Sequence, residues 1–219
     1  MTSDARMEPR PTAGALRITR PRSTEPPEGC AVYVDVTTSF CPYLGPSLRS
    51  GLTGWTVYGV DPDADPVDVE GAVFAAAVHA AEFVRVLAPR SRGHLACENA
   101  VFLGAGRQEI DWPHWVLKHL YAPAGLMVGK FWKGEEDTSW KGDPLPVPPV
   151  TFLSLRPAVR PRDPRFLDST PVLADTIATS RDDGRDVLLP LIGEQTSATA
   201  AATHWATIKT WAASLQENR

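Results

Sequence analysis

Residues 54–103 read GWTVYGVDPDADPVDVEGAVFAAAVHAAEFVRVLAPRSRGHLACENAVFL, and the succession of patterns in them decides the class of fold. Residues 54–60 are rich in β-branched and aromatic side chains and read as a strand. DPDADP at 61–66 spaces its Asp residues like a calcium loop, but Pro66 stands where that loop needs its turn Gly and Ala72 where it needs a bidentate Glu. The block therefore reads as an acidic turn, with Asp68 as the cap of a helix. Over 69–88, Val73, Ala77, Ala80, Val84 and Leu87 recur at three- and four-residue steps, the spacing of one helix face, and Pro89 ends the run. His79 within it reads as a core or boundary histidine. Over 95–103, Leu95, Cys97, Val101 and Leu103 alternate with Ala96, Glu98, Ala100 and Phe102, which is a strand.

The same reading extends outward. In AVYVDVT at 31–37 the Val residues alternate with Tyr33, Asp35 and Thr37, and the run reads as a half-buried strand. Residues 1–29 scatter Arg and Pro without a period and read as a flexible tail. On the other side, Asp111 reads as the cap of a short helix with Pro113 in its first turn. That helix carries Trp112, Trp115, Val116, His119 and Leu120 on one stripe. LMVGKFW at 126–132 and VTFLSLR at 150–156 are strands, and Gly129 inside the first marks a bulge or a close backbone approach. Helices follow at 171–180, capped by Thr170, and at 198–215. The expected architecture is a single α+β domain over 30–219, a mostly antiparallel sheet of about five strands packed by helices.

Composition excludes some classes of function. The formal charge of −4 lacks the basic excess of a phosphate-backbone binder, so no nucleic-acid partner is expected. No run of about 18 apolar residues occurs, so no membrane span is expected. Three cysteines, an odd count without a CxxC pair, read as reduced thiols. With no signal-peptide pattern at the N-terminus, a cytoplasmic location is expected.

The familiar catalytic spacings (P-loop, GxGxxG, HExxH, GxSxG) do not occur. Cys41, in Phe-Cys-Pro-Tyr, is a candidate thiolate nucleophile or haem ligand, or else a buried structural thiol. His119 is a candidate metal or haem ligand on its aromatic stripe, or else a core histidine. Glu98, Lys130 and Arg156 each place a charge on an expected strand. They either converge on a small anionic or zwitterionic ligand or form the wet face of a sheet. The loop 133–142 between Gly134 and Gly142 suits a lid, in which Trp132 and Trp140 would shield a site from water.

Cys41-Pro42-Tyr43, Ile110-Asp111, Leu117-Lys118, GLMVGKF at 125–131 and Leu155-Arg156 through Asp163 and Phe166-Leu167 carry a family resemblance. They resemble an actinobacterial domain family of unassigned function found near secondary-metabolite gene clusters. That family is distantly similar to the YqcI/YcgG-like proteins, which include haem-dependent N-oxygenases. Where the family tends to carry His, after GLMxGxF and after the Leu-Arg pair, this chain has Trp132 and Pro157. The resemblance implies a small-molecule tailoring enzyme, with haem as candidate cofactor and His119 or Cys41 as axial ligand, acting on an amine or amino acid. The alternative is a non-catalytic metabolite-binding or pathway accessory protein. A homodimer is compatible with either.

Overall fold

The computed structural model describes residues 14–139, 141–167 and 169–217. The chain enters the sheet before the point where its hydrophobic pattern begins. Leu16–Ser23 forms β1, an edge strand antiparallel to β2 (Thr53–Val60). This corrects the expectation of a flexible tail over 1–29, whose first thirteen residues lie outside the described ones. An edge strand needs a ladder on one side only, so β1 leaves most of its side chains in solvent and tolerates Pro21 within it.

A second correction concerns 31–37. The expected strand is a helix, α1 (Ala31–Thr37). Its contacts explain the difference: Tyr33, Val34 and Thr37 fall on one helical stripe, facing inward, while Val32 and Val36 are exposed. Thr37 Oγ1 donates to Tyr33 O at 2.6 Å. A second short helix, α2 (Leu44–Arg49), is pinned to the sheet by buried Ser47, whose Oγ lies 2.6 Å from Thr53 Oγ1 and donates to Leu95 O at 2.7 Å.

The central unit follows its pattern. After β2 comes α3 (Pro66–Leu87), capped by Asp65 rather than Asp68 because Pro66 occupies the first helical position. Then β3 (Cys97–Leu103) runs parallel to β2, with α3 as the crossover. The helix α4 (Arg107–Tyr121) starts earlier than Asp111. Glu109 accepts from Gly106 N at 2.7 Å and closes the first turn, which leaves Pro113 inside the helix. The strands β4 (Leu126–Phe131) and β5 (Thr151–Pro157) pair antiparallel to each other, and β5 pairs antiparallel to β3. Beyond them lie α5 (Pro171–Thr179), α6 (Leu189–Ile192), α7 (Ala198–Thr203) and α8 (Trp205–Glu217). The expected closing helix is thus two, separated at His204.

The sheet order is β1-β2-β3-β5-β4, one open five-stranded sheet with a single parallel pair, so the expected α+β class and mostly antiparallel sheet are correct. Its two faces differ. On one, Ala100, Phe102, Leu153 and Leu155 pack under α3, α4, α7 and α8, with Val73, Ala77, Ala81, Ile110, Leu117 and Ile208 fully buried. Each large side chain buried there contributes about 1.5–3 kcal/mol, and the small Ala residues let α3 lie close. The other face carries a smaller cluster, Trp55, Val57, Val101 and Phe152 under Val34 of α1. Among the described residues no helix is long and apolar enough to cross a membrane.

Candidate functional site

Strand alternation and register turn this second face into a grid. The row Val57, Val101, Phe152, Phe131 is apolar. Beside it runs Trp55, Asn99, Ser154, Gly129, and beyond that Thr53, Cys97, Arg156, Met127. A cavity of about 870 Å³ opens over the last four strands, walled by α1, by the turn holding Cys41 and Tyr43, and by Phe166 and Leu167. Because Ser47 fixes α2 to the sheet, the turn that carries Cys41 is held over the cavity.

Phe152 organises the apolar side. Phe131 stacks on it with centroids 4.6 Å apart and planes 17° from parallel, and Trp55 and Tyr33 meet it at 6.0 and 6.1 Å. Burial pushes the Tyr33 hydroxyl up to about 12, so it stays protonated. On the polar side, Cys97 Sγ lies 3.3 Å from Ser154 Oγ, and Asn99 Nδ2 donates to Gly54 O at 3.0 Å. Desolvation raises the Cys97 thiol above its ordinary range, against the lowering effect of the Ser154 bond and of Arg156.

Arg156 is the strand-borne cation of the cavity floor, whose walls also carry Lys118, Lys130, Lys141 and Arg165 beside Glu135, Asp137 and Asp143. Its Nη1 and Nη2 donate to the two oxygens of Asp163 at 2.8 and 2.9 Å, and Nη1 also reaches Pro157 O. Asp163 is buried and accepts a third bond from Val159 N at 2.6 Å. Burial works against the Arg156 charge, and the Asp163 bonds more than restore it. His114, at the cavity's rim, bonds Val128 O at 3.1 Å and caps the outer edge of β4. Desolvation, with Lys118 and Lys130 nearby, takes its pKa down to about 3, so it is neutral.

The structure separates the expected site residues. Cys41 and Arg156 line the cavity, and Lys130 reaches its rim. Glu98, Lys130 and Arg156 do not converge: Lys130 stands opposite Leu153 and Glu98 opposite Leu155, on the helix-covered face. There Lys130 is bonded to Asp111, and Glu98 accepts from Arg22 at 2.6 Å. Trp132 packs against the helix-side core with the Arg107 guanidinium 4.9 Å over its ring. His119 sits edge-on to Trp115 at 4.4 Å, and Trp115 donates to Ala212 O, so this stripe faces α8 and not the cavity. Trp140 lies outside the described residues. Sequence reasoning passed over Trp55, Asn99, Ser154 and Phe152 as site residues, although the last two share a face with Arg156 by simple alternation.

A family match bears on the same region: a domain of unknown function, DUF6875, matches residues 36–180. The chain belongs to the DUF6875 family. The matched span of the DUF6875 domain contains β2 to β5, the strands that floor the cavity, and leaves β1 and α6 to α8 outside. No curated protein and no solved structure matches the chain. Of the two axial ligands that the sequence resemblance implies, His119 is off the cavity, turned to Trp115 and α8, and only Cys41 lines it.

Proposed function

We propose that this DUF6875 protein binds a small organic anion with an apolar, ring-sized body in the cavity over β2 to β5. The role follows the resemblance to a family found near secondary-metabolite clusters: the protein holds a metabolite for a tailoring pathway. The observation that carries the reading is Arg156, a charged guanidinium set on a buried carboxylate at the edge of an aromatic floor. A guanidinium has five N–H donors; Asp163 and Pro157 take three bonds from the two Nη atoms, which leaves Nε and one Nη2 hydrogen for a ligand oxygen. The aromatic cluster supplies the apolar contact, and the cavity of about 870 Å³ has room for a ring-sized body.

Binding without catalysis is favoured over a tailoring reaction. Cys97 is held protonated, and among the described residues no histidine or carboxylate is bonded to Cys97 or Cys41, so neither thiol has a base. The test is calorimetry and thermal shift on the full chain with phenylacetate, indole-3-acetate and their neutral amides. The carboxylates should bind more tightly than the amides, and Arg156→Lys, which keeps the charge but loses the fork, should remove most of that preference. If no probe binds, or if Arg156→Lys leaves the preference intact, the reading is wrong.

A further inference from the structure

Two of the three cysteines share the cavity. Cys30 is 1% exposed at the start of α1 and is not among the lining residues. Cys41 and Cys97 are half-buried and line the cavity, one on its wall and the other on its floor. The fold sets them close. Cys97 stands beside Arg156 in the outer row of the grid, with Sγ 3.3 Å from Ser154 Oγ. Thr53, its partner on β2, and Leu95, two residues before it, are the groups to which Ser47 is bonded. Back along the chain from Ser47, Leu44 N donates to Cys41 O at 3.2 Å, and Cys41 N donates to Thr37 O at 3.0 Å. The turn with Cys41 is thus slung between α1 and α2, next to an anchor that adjoins Cys97. The two sulfurs are near enough for a charge on one to act on the other, and both act on Arg156.

We propose that Cys41 and Cys97 are a redox pair, oxidised by a hydroperoxide to a disulfide that shuts the cavity in front of Arg156. Cys41 on the wall reacts first. Its sulfur attacks the terminal oxygen of the hydroperoxide, the O–O bond breaks, and the alcohol leaves with the thiol proton, which makes Cys41 a sulfenic acid. The Cys97 sulfur then attacks Cys41; the S–S bond forms, the S–O bond breaks, and the hydroxyl leaves with the Cys97 proton as water. Two thiols lose two hydrogens and two electrons, and the hydroperoxide is reduced to alcohol and water. With no base bonded to either sulfur among the described residues, this is a slow response to sustained oxidant and not a turnover. A disulfide holds its Cα atoms about 5.5–6 Å apart, so bonding Cys41 to a strand residue draws the turn onto the floor. What is shut out rests on the reading of the cavity as an organic-anion site; the disulfide itself does not.

The test uses the reduced full chain, treated with hydrogen peroxide, and needs no variant. Chymotrypsin cuts after Tyr33 and Phe40, so mass mapping separates Cys30 from Cys41. The map should show Cys41 joined to Cys97 within one chain, Cys30 still a free thiol, and the link undone by dithiothreitol. Arg156, whose side chain is 26% exposed, should be labelled by phenylglyoxal in the reduced protein and shielded in the oxidised one. In calorimetry, indole-3-acetate should bind the oxidised protein at least about tenfold more weakly, and dithiothreitol should restore it. No disulfide, a disulfide to Cys30, a link between two chains, or a sulfinic acid without a disulfide overturns the pair and leaves the anion site standing. A Cys41–Cys97 bond that changes neither Arg156 labelling nor indole-3-acetate affinity overturns the closure. If the reduced protein binds no carboxylate, the anion reading falls, and the mapping with the Arg156 labelling decides this proposal alone.

Discussion

Replacing Arg22 by Met should cost about 2 kcal/mol of stability at pH 8, and that cost should disappear in acid. Arg22 lies on β1, and its Nε and Nη2 are bonded to Glu98 at 2.6 to 3.1 Å across the face of Gly54. The Glu98 side chain is 4% exposed and that of Arg22 36%. Removing one partner of a fully buried pair costs about 3–5 kcal/mol; water at the Arg22 end relaxes part of this, which gives about 2 kcal/mol. The sign of the pH dependence comes from linkage. Burial raises the Glu98 pKa in the folded protein, opposed by Arg22, so the native state binds the Glu98 proton more tightly than the unfolded chain. Stability therefore falls as pH rises from the unfolded value, about 4.3, through the folded one. Without Arg22 the folded value climbs further, so the difference between the proteins is full above it and vanishes below about pH 4. Urea unfolding of both proteins at pH 8, 6 and 4 measures this, with exposed Arg17→Met on the same strand as a control expected within about 0.5 kcal/mol of wild type. A difference below about 0.5 kcal/mol at pH 8, or one that does not change with pH, would refute the latch and return residues 14–29 to a loose tail.

Gly54→Ala should destabilise by about 1–3 kcal/mol in thermal melts, because its Cβ would stand 2.4 Å from both Glu98 oxygens and 2.6 Å from Arg22 Nη2. Much of that loss should be absent in an Arg22→Met background, since both changes break one ion pair. Val32→Ala should stabilise the protein by about 0.5 kcal/mol in chemical denaturation, since Val32 is 76% exposed on a helix and makes no contact that offsets its poor propensity. His114, with a folded pKa of about 3 against about 6.5 when unfolded, binds its proton more weakly in the native state, so stability should fall with acid through that window by up to about 1.4 kcal/mol per pH unit. An NMR titration should find the His114 ring neutral at pH 5, and a midpoint near 6.5 would contradict its burial.

Four of the five expected strands are where alternation placed them, within a residue or two, because each has a core face to fill. The two misreadings have separate causes. β1 is an edge strand with most side chains in solvent, so nothing forces an apolar period on LRITRPRS and the segment resembles a polar tail. α1 has the reverse problem. A seven-residue run with Val at every second position satisfies the strand template, yet a helix needs only a narrow stripe when it lies on a sheet as a lid. Tyr33, Val34 and Thr37 supply that stripe, and only the tertiary surface beneath selects it over the alternation.

The site was half legible, and the missing half was register. Alternation alone joins Phe152, Ser154 and Arg156 on one face of β5 and leaves Cys97 opposite Glu98 in β3. It cannot say which face of β4 or β3 goes with which face of β5. The observed pairing sets Lys130 against Leu153 and Glu98 against Leu155, the chain neighbours of Ser154 and Arg156 that point the other way. This register takes Glu98 out of the cavity and leaves Lys130 only at its rim, and their chemistry agrees. Lys130 and Glu98 lie on the face covered by α3 and α4, and each has found a counter-ion, Asp111 and Arg22. A charge on a covered face has to be neutralised for the protein to fold. On the cavity face the constraint is weaker, and there Arg156 keeps spare hydrogens and Trp55 keeps an unused one. The two faces of the sheet therefore differ in their strand-borne charges: Lys130 and Glu98 are tied to counter-ions on the helix-covered face, and Arg156, though held by Asp163, keeps hydrogens to spare on the other.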